Sequence, residues 1–256
     1  MKEWYSVIKT SDGFFDVIEE ETQTLIKRYK TKQGAKNRKD FLDYVKRLEE
    51  GEKFVEKLDL SKFKLLPTAK PGLFHFKTVR GSISTNLWLK KIRPSILDRD
   101  KKTCSICGWI PEESETSKLH LHEVEEYDFY NVVCHLKDIE LICVKCHGFH
   151  HIVRTRGFAT KEQWEDLLDH FVKVNNCSPE VKDFWAAFEK KAAAFQREKE
   201  NVNFKDLPPW DEISKKTVRY TVNSTLPYAD EMIKQLKKKG LLFNQELVSE
   251  QAKTKI

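Results

Sequence analysis

Residues 141–151 read LICVKCHGFHH: two cysteines two residues apart, followed at once by three histidines in five positions. A Cys-x2-Cys turn presents two thiolates on one side of a tight knuckle. A second such turn stands upstream at Cys104 and Cys107. Together the knuckles supply four sulfurs, a set that Zn2+ takes up tetrahedrally without any geometric preference of its own to satisfy. The knuckles are separated by 35 residues, 108–142. A simple zinc ribbon has about 15–20 there, so a folded insert is expected between them. A structural Zn2+ on Cys104, Cys107, Cys143 and Cys146 contributes folding energy and no reaction. Any chemistry must come from what the knuckles hold together.

The histidines are the candidates. His147 and His151 are four residues apart, which on a helix puts both imidazoles on one face, able to bind one metal from the same side. His150 lies about 100° round the helix from His151 and is the weaker candidate. Within the insert, LHLHEVEEYD (119–128) alternates Leu119 and Leu121 with His120 and His122, the pattern of a strand with one buried face. A strand pinned beside the helix by the knuckles would set His122 or Glu123 opposite His147 and His151. Cys134 and Cys177 stand alone and read as buried, small apolar residues.

Taken together, TCSICG (103–108), LHLHEV (119–124) and LICVKCHGFHH (141–151) resemble the HNH nucleases, the ββα-metal class. WEDLLDHFVKVNN (164–176) is similar, more weakly, to the helix that follows the finger in some bacterial members. The resemblance implies a zinc-stapled, treble-clef-like finger that hydrolyses DNA phosphodiester bonds. It implies a strand histidine that deprotonates water, and one divalent cation, Mg2+ or another, held by His147 and His151. A phosphodiester repels nucleophiles, so such a site needs a base near its operating pH and a hard positive charge. The family's strand pair is Asp-His or His-His, whereas here it is His122-Glu123. A gapless alignment puts His122 on the metal and Glu123 at the base position. A shift of one residue makes His122 the base, and the unperturbed imidazole pKa of about 6.5 favours that choice. Asp138 falls where the family often has Asn, either to steady the base or to sit in the turn before IELIC.

The whole chain reads as α+β, with the finger at the centre. Residues 1–65 form an N-terminal strand-helix unit: WYSVIK, GFFDVIEE and TLIKRYK make a small β-meander, and residues 35–58 a helix with Phe41, Leu42, Val45 and Leu48 at helical spacing. Residues 66–98 read as a connector broken by Pro67 and Pro71-Gly72, with a short helix interrupted by Pro94. The finger occupies 99–156 and helical support 157–200, where Thr160 to Gln163 fits a capping box and Ser178-Pro179-Glu180 a helix start. Residues 201–256 form a small strand-helix segment. It opens with a linker at 201–212 and closes with a polar, frayed end at 245–256.

Net charge is +6 and the pI about 8.8, which permits nucleic-acid binding without demanding it. The charge is concentrated: from Ile26 to Arg47 there are nine Lys or Arg against two Asp. Lys27, Arg28, Lys30, Lys36, Arg38 and Lys39 are therefore the candidate DNA-backbone contacts. No apolar run of membrane length and no apolar leader are present, so a cytoplasmic protein without membrane contact is expected. No GxxxxGK[ST] phosphate loop is present either, so any use of ATP must come from a partner subunit. The expected function is a metal-dependent HNH DNA endonuclease in restriction, defence or phage biology. A homodimer suits it, because two nearby cuts need two active sites. Two alternatives stay open: a zinc-finger nucleic-acid-binding protein without cleavage, and a nuclease subunit that needs a partner.

Overall fold

The structure is a computed structural model that describes residues 3–200 and 207–244. The linker read at 201–212 is described only from residue 207, and the polar end at 245–256 lies outside the described residues. The chain is α+β, as expected, and packs as two units: Met1–Phe63 with Asn175–Ala194, and Lys64–Val174 with Phe195–Ile256. The helical stretch read at 157–200 is thus divided between them. Among the described residues no helix is long and apolar enough to cross a membrane.

In the first unit, β1 (Tyr5–Lys9), β2 (Phe15–Glu19) and β3 (Thr24–Tyr29) form the expected antiparallel meander, with a register shift after Val17. The helix α1 (Lys32–Glu56) begins three residues earlier than its apolar pattern indicated, because the Thr31 side chain caps it by accepting from the Gly34 N–H. Its buried face also differs. Phe41 and Leu48 are 54% and 37% exposed, while Ala35, Asp43, Gly51 and Val55 are buried. The reason is a hydrogen bond that apolar counting does not see. Asp43 Oδ1 accepts from the backbone N–H groups of Trp4 and Tyr5 at 2.8 and 3.2 Å, and Oδ2 from Lys39 at 2.9 Å. A second close approach fixes Gly51, where an added Cβ would stand 3.2 Å from Ala187 Cβ and Phe184 Cδ1.

Asp43→Ala strands the Trp4 and Tyr5 donors. A buried donor left unsatisfied costs about 1–3 kcal/mol, so urea unfolding of the full chain should show a loss of about 3 kcal/mol. An unchanged midpoint would mean that water replaces the carboxylate.

In the second unit, β4 (Leu119–Asp128) and β5 (Val133–Cys143) form a long antiparallel hairpin, and β6 (Arg219–Val222) adds parallel to β5. A bulge follows Val124: its partner is Asp138, that of Glu125 is Leu136, and Lys137 is left over. Helix α2 (Arg93–Arg99) packs on β5. Pro94 does not interrupt the helical stretch but sits in the first turn of α2. Just before it the chain widens into a π turn at Trp88–Ile92, closed by the Arg93 N–H on the Trp88 carbonyl.

After β5 come α3 (Val144–His150), α4 (Ile152–Phe158) and α5 (Lys161–Asn175). The capping box at α5 is present: Gln163 N–H donates to Thr160 Oγ1, and Thr160 N–H to Gln163 Oε1. Beyond these come α6 (Trp185–Glu200), most of which belongs to the first unit, and α7 (Ala229–Lys238), which Gly240 ends at φ +68°.

The core of this unit includes Leu119, Leu121, Ile139, Leu141, Phe149, Phe171 and Met232. The stretch read as a connector also belongs to that core, for Phe74, Val79 and Leu87 are almost wholly buried.

Candidate metal and active site

The first knuckle is a tight turn. Gly108 N–H donates to Cys104 O, Cys104 N–H to Trp109 O, and Gly108 takes φ +73°, a conformation that favours glycine. Ser105 N–H donates to Leu141 O and so hangs the knuckle on β5. The second knuckle is the β5–α3 junction, where Cys143 caps α3 by accepting from Cys146 N–H. All four sulfurs of Cys104, Cys107, Cys143 and Cys146 lie within 4.8 Å of one another, an arrangement compatible with a structural metal site. The donor set fits that role. Hydrogen bonding from Cys143 and Cys146 favours the thiolate at Cys104, and in turn their own thiols are pushed up, Cys143 to about 12. Four sulfurs this close carry four negative charges only with a cation among them. His170 adds a contact that sequence reading missed, its Nε2 lying 3.2 Å from Cys146 Sγ.

The second cluster lies on the same hairpin and helix. The β4 alternation sends His120 and His122 to the α3 side, and one ring nitrogen each of His122, His147 and His151 lie within 4.8 Å of one another. Burial is the largest cause holding His122 and His147 at about 3, with the neighbouring imidazoles adding to it; His151 is lowered for the same first reason. Neutral imidazoles offer lone pairs, which is what a cation needs. His150, the weaker candidate, is outside this triad. Its ring stacks on His122 at 4.2 Å, and its Nδ1 lies 3.0 Å from Thr68 Oγ1.

Around the triad is a cleft of about 780 Å³, lined among others by Thr68, Lys70, Arg80, Glu123, Glu125, Glu140 and Arg154. Glu123 is outside the triad. Its Oε1 accepts from the Arg80 backbone N–H at 2.9 Å, and burial raises its carboxyl to about 7. Glu125 is tied to Lys70 and accepts from Tyr127 Oη at 2.7 Å. Arg80 and Arg154 form no salt bridge with a carboxylate among the described residues. Asp138 is not in the cleft: it binds Arg99 at 3.1 Å and its neighbour's N–H. The acid opposite His122 on β5 is Glu140, whose carboxyl is raised by burial.

Thus the four cysteines form one cluster and His122, His147 and His151 another, while Glu123 is outside both and lines the same cleft as the histidines. Thr68, Arg80, Glu140 and His120 were not anticipated. For His120 the signal was available, since it shares the strand face of His122. The basic candidates of the first unit divide. Arg28 is bound by Asp16 and Asp12, and Lys39 by Asp43 and Glu3. The Arg38 guanidinium lies over the Phe41 ring, while Lys27, Lys30 and Lys36 are exposed. No protein-family model, no curated protein and no solved structure matches this chain.

Proposed function

We propose that this protein is a metal-dependent DNA endonuclease of the HNH type, built on a treble-clef-like finger with Zn2+ on its four cysteines. The observation that carries the reading is the pair of clusters on one hairpin and one short helix: four sulfurs at its base, and three imidazoles in a cleft that a buried carboxylate also lines. A finger that served only as a scaffold would need the sulfurs alone.

His122, His147 and His151 would hold the cation. A set of three imidazoles suits a first-row transition ion better than Mg2+, which prefers oxygen ligands. When bound, such an ion stabilises charge on the phosphate and on the leaving 3′ oxygen. With the His122 lone pair committed there, the base is Glu123, as in the gapless alignment, and not His122. Its carboxylate takes a proton from water as the water oxygen bonds to phosphorus and the bond from phosphorus to the 3′ oxygen breaks. The Arg80 N–H orients that carboxylate, and the Arg80 and Arg154 guanidinium groups supply positive charge for the phosphate.

Supercoiled plasmid incubated with the zinc-loaded protein should be nicked or linearised with Mn2+, Co2+ or Ni2+, more weakly with Mg2+, and not with excess chelator. Intact plasmid with every ion, while the protein still binds DNA, would overturn the reading in favour of a binding module.

A further inference from the structure

Five imidazoles, those of His120, His122, His147, His150 and His151, gather where β4 faces α3 and its end, and the cation site accounts for three of them. His120 belongs to neither the sulfur cluster nor the triad, yet its Nδ1 lies 3.0 Å from Nδ1 of His147. The two rings meet edge to face with centroids 4.9 Å apart, and both are partly buried. Two facing Nδ1 atoms at that distance share one proton: one ring donates N–H and the other accepts.

Only one assignment agrees with a cation at the triad. A neutral imidazole that binds through Nε2 carries its proton on Nδ1. We propose that His147 Nδ1–H donates to His120 Nδ1, and that His120 is a positioning residue which fixes the tautomer and ring orientation of His147, so that Nε2 is the nitrogen available to the metal. The inference rests on the cation site proposed above. A metal-binding histidine usually directs its second nitrogen to a carboxylate, a backbone carbonyl or water. Here another histidine takes that part. The β4 alternation explains how: residues 120 and 122 point the same way, so one strand supplies both a ligand and the support for a ligand on the facing helix.

The test measures metal affinity and tautomer, not cleavage. Mn2+ binding is followed by electron paramagnetic resonance on protein whose four-cysteine site is loaded with Zn2+. His120→Ala should weaken Mn2+ binding about 10–100-fold, the usual cost of losing such a supporting partner, with zinc content unchanged. His120→Gln, which keeps an acceptor oxygen, should recover most of the loss. Long-range 1H–15N spectra of the wild type without added Mn2+ should show Nδ1 protonated in His147 and bare in His120.

Equal Mn2+ affinity in wild type and His120→Ala would overturn the inference and leave the nuclease reading intact, as would the opposite tautomers. A wild type that binds no Mn2+ would overturn the cation site itself. If His120→Ala loses its zinc, His120→Gln decides: unimpaired affinity with the expected tautomers supports the proposal, and a loss equal to that of His147→Ala overturns it by making His120 a ligand.

Discussion

Cys143→Ser should cost the protein the proposed zinc and, with it, the cooperative unfolding of the unit that carries the two knuckles. Structural zinc binding in small fingers is worth about 10–16 kcal/mol near neutral pH, comparable to the whole stability of an ordinary domain at about 5–15 kcal/mol. Losing one ligand of four removes a large part of that. The position makes the experiment clean. Cys143 is the N-cap of α3, and serine is among the best N-cap residues. Any collapse therefore comes from the lost sulfur and not from a frayed helix. Cys143 also lies at the centre of the cluster: its sulfur is 3.7 Å from that of Cys107, and its N–H donates to Cys104. Zinc content by mass spectrometry and thermal unfolding by near-ultraviolet circular dichroism read the two consequences together. A variant that keeps its melting temperature, beside a wild type that a chelator does not destabilise, would reduce the cluster to four ordinary thiols.

What could be read in advance was local. The knuckles announce themselves by spacing, β4 by its Leu-His alternation, the candidate cation ligands His147 and His151 by a four-residue step, and α5 by its capping box. Each signal lies within a few residues. The parts that escaped reading are set by contacts between distant residues. Glu123 meets Arg80 across 43 positions and His150 meets Thr68 across 82, so neither the wall of the cleft nor its electrostatics shows in any window of sequence. The error on α1 is of another kind. Asp43 is buried because it satisfies two backbone amides, whereas Phe41 lies outside, and a rule that counts apolar residues ranks them in the wrong order. Pro94 was read as a break because proline usually is one; the π turn ahead of it accommodates the ring.

The base assignment separates by experiment because two neighbours on one strand should fail differently. Glu123→Gln keeps an oxygen to accept from the Arg80 N–H, so the local fold should persist while the proton acceptor disappears. Cleavage should fall about 10²–10⁴-fold, the usual contribution of a general base, with Mn2+ affinity unchanged. His122→Ala removes one of three imidazoles from the triad, so its first effect should be on Mn2+ affinity, with cleavage lost in proportion and partly restored at high Mn2+. The strand geometry is the reason to expect this split. Pairing of β4 with β5 stays in register through Val124, and the bulge comes only after it. This register agrees with the gapless assignment that the proposed mechanism uses, with His122 on the cation and Glu123 as base. Should Glu123→Gln cut at the wild-type rate while His122→Ala binds Mn2+ normally and is inert, the roles are reversed, and the imidazole activates the water after all.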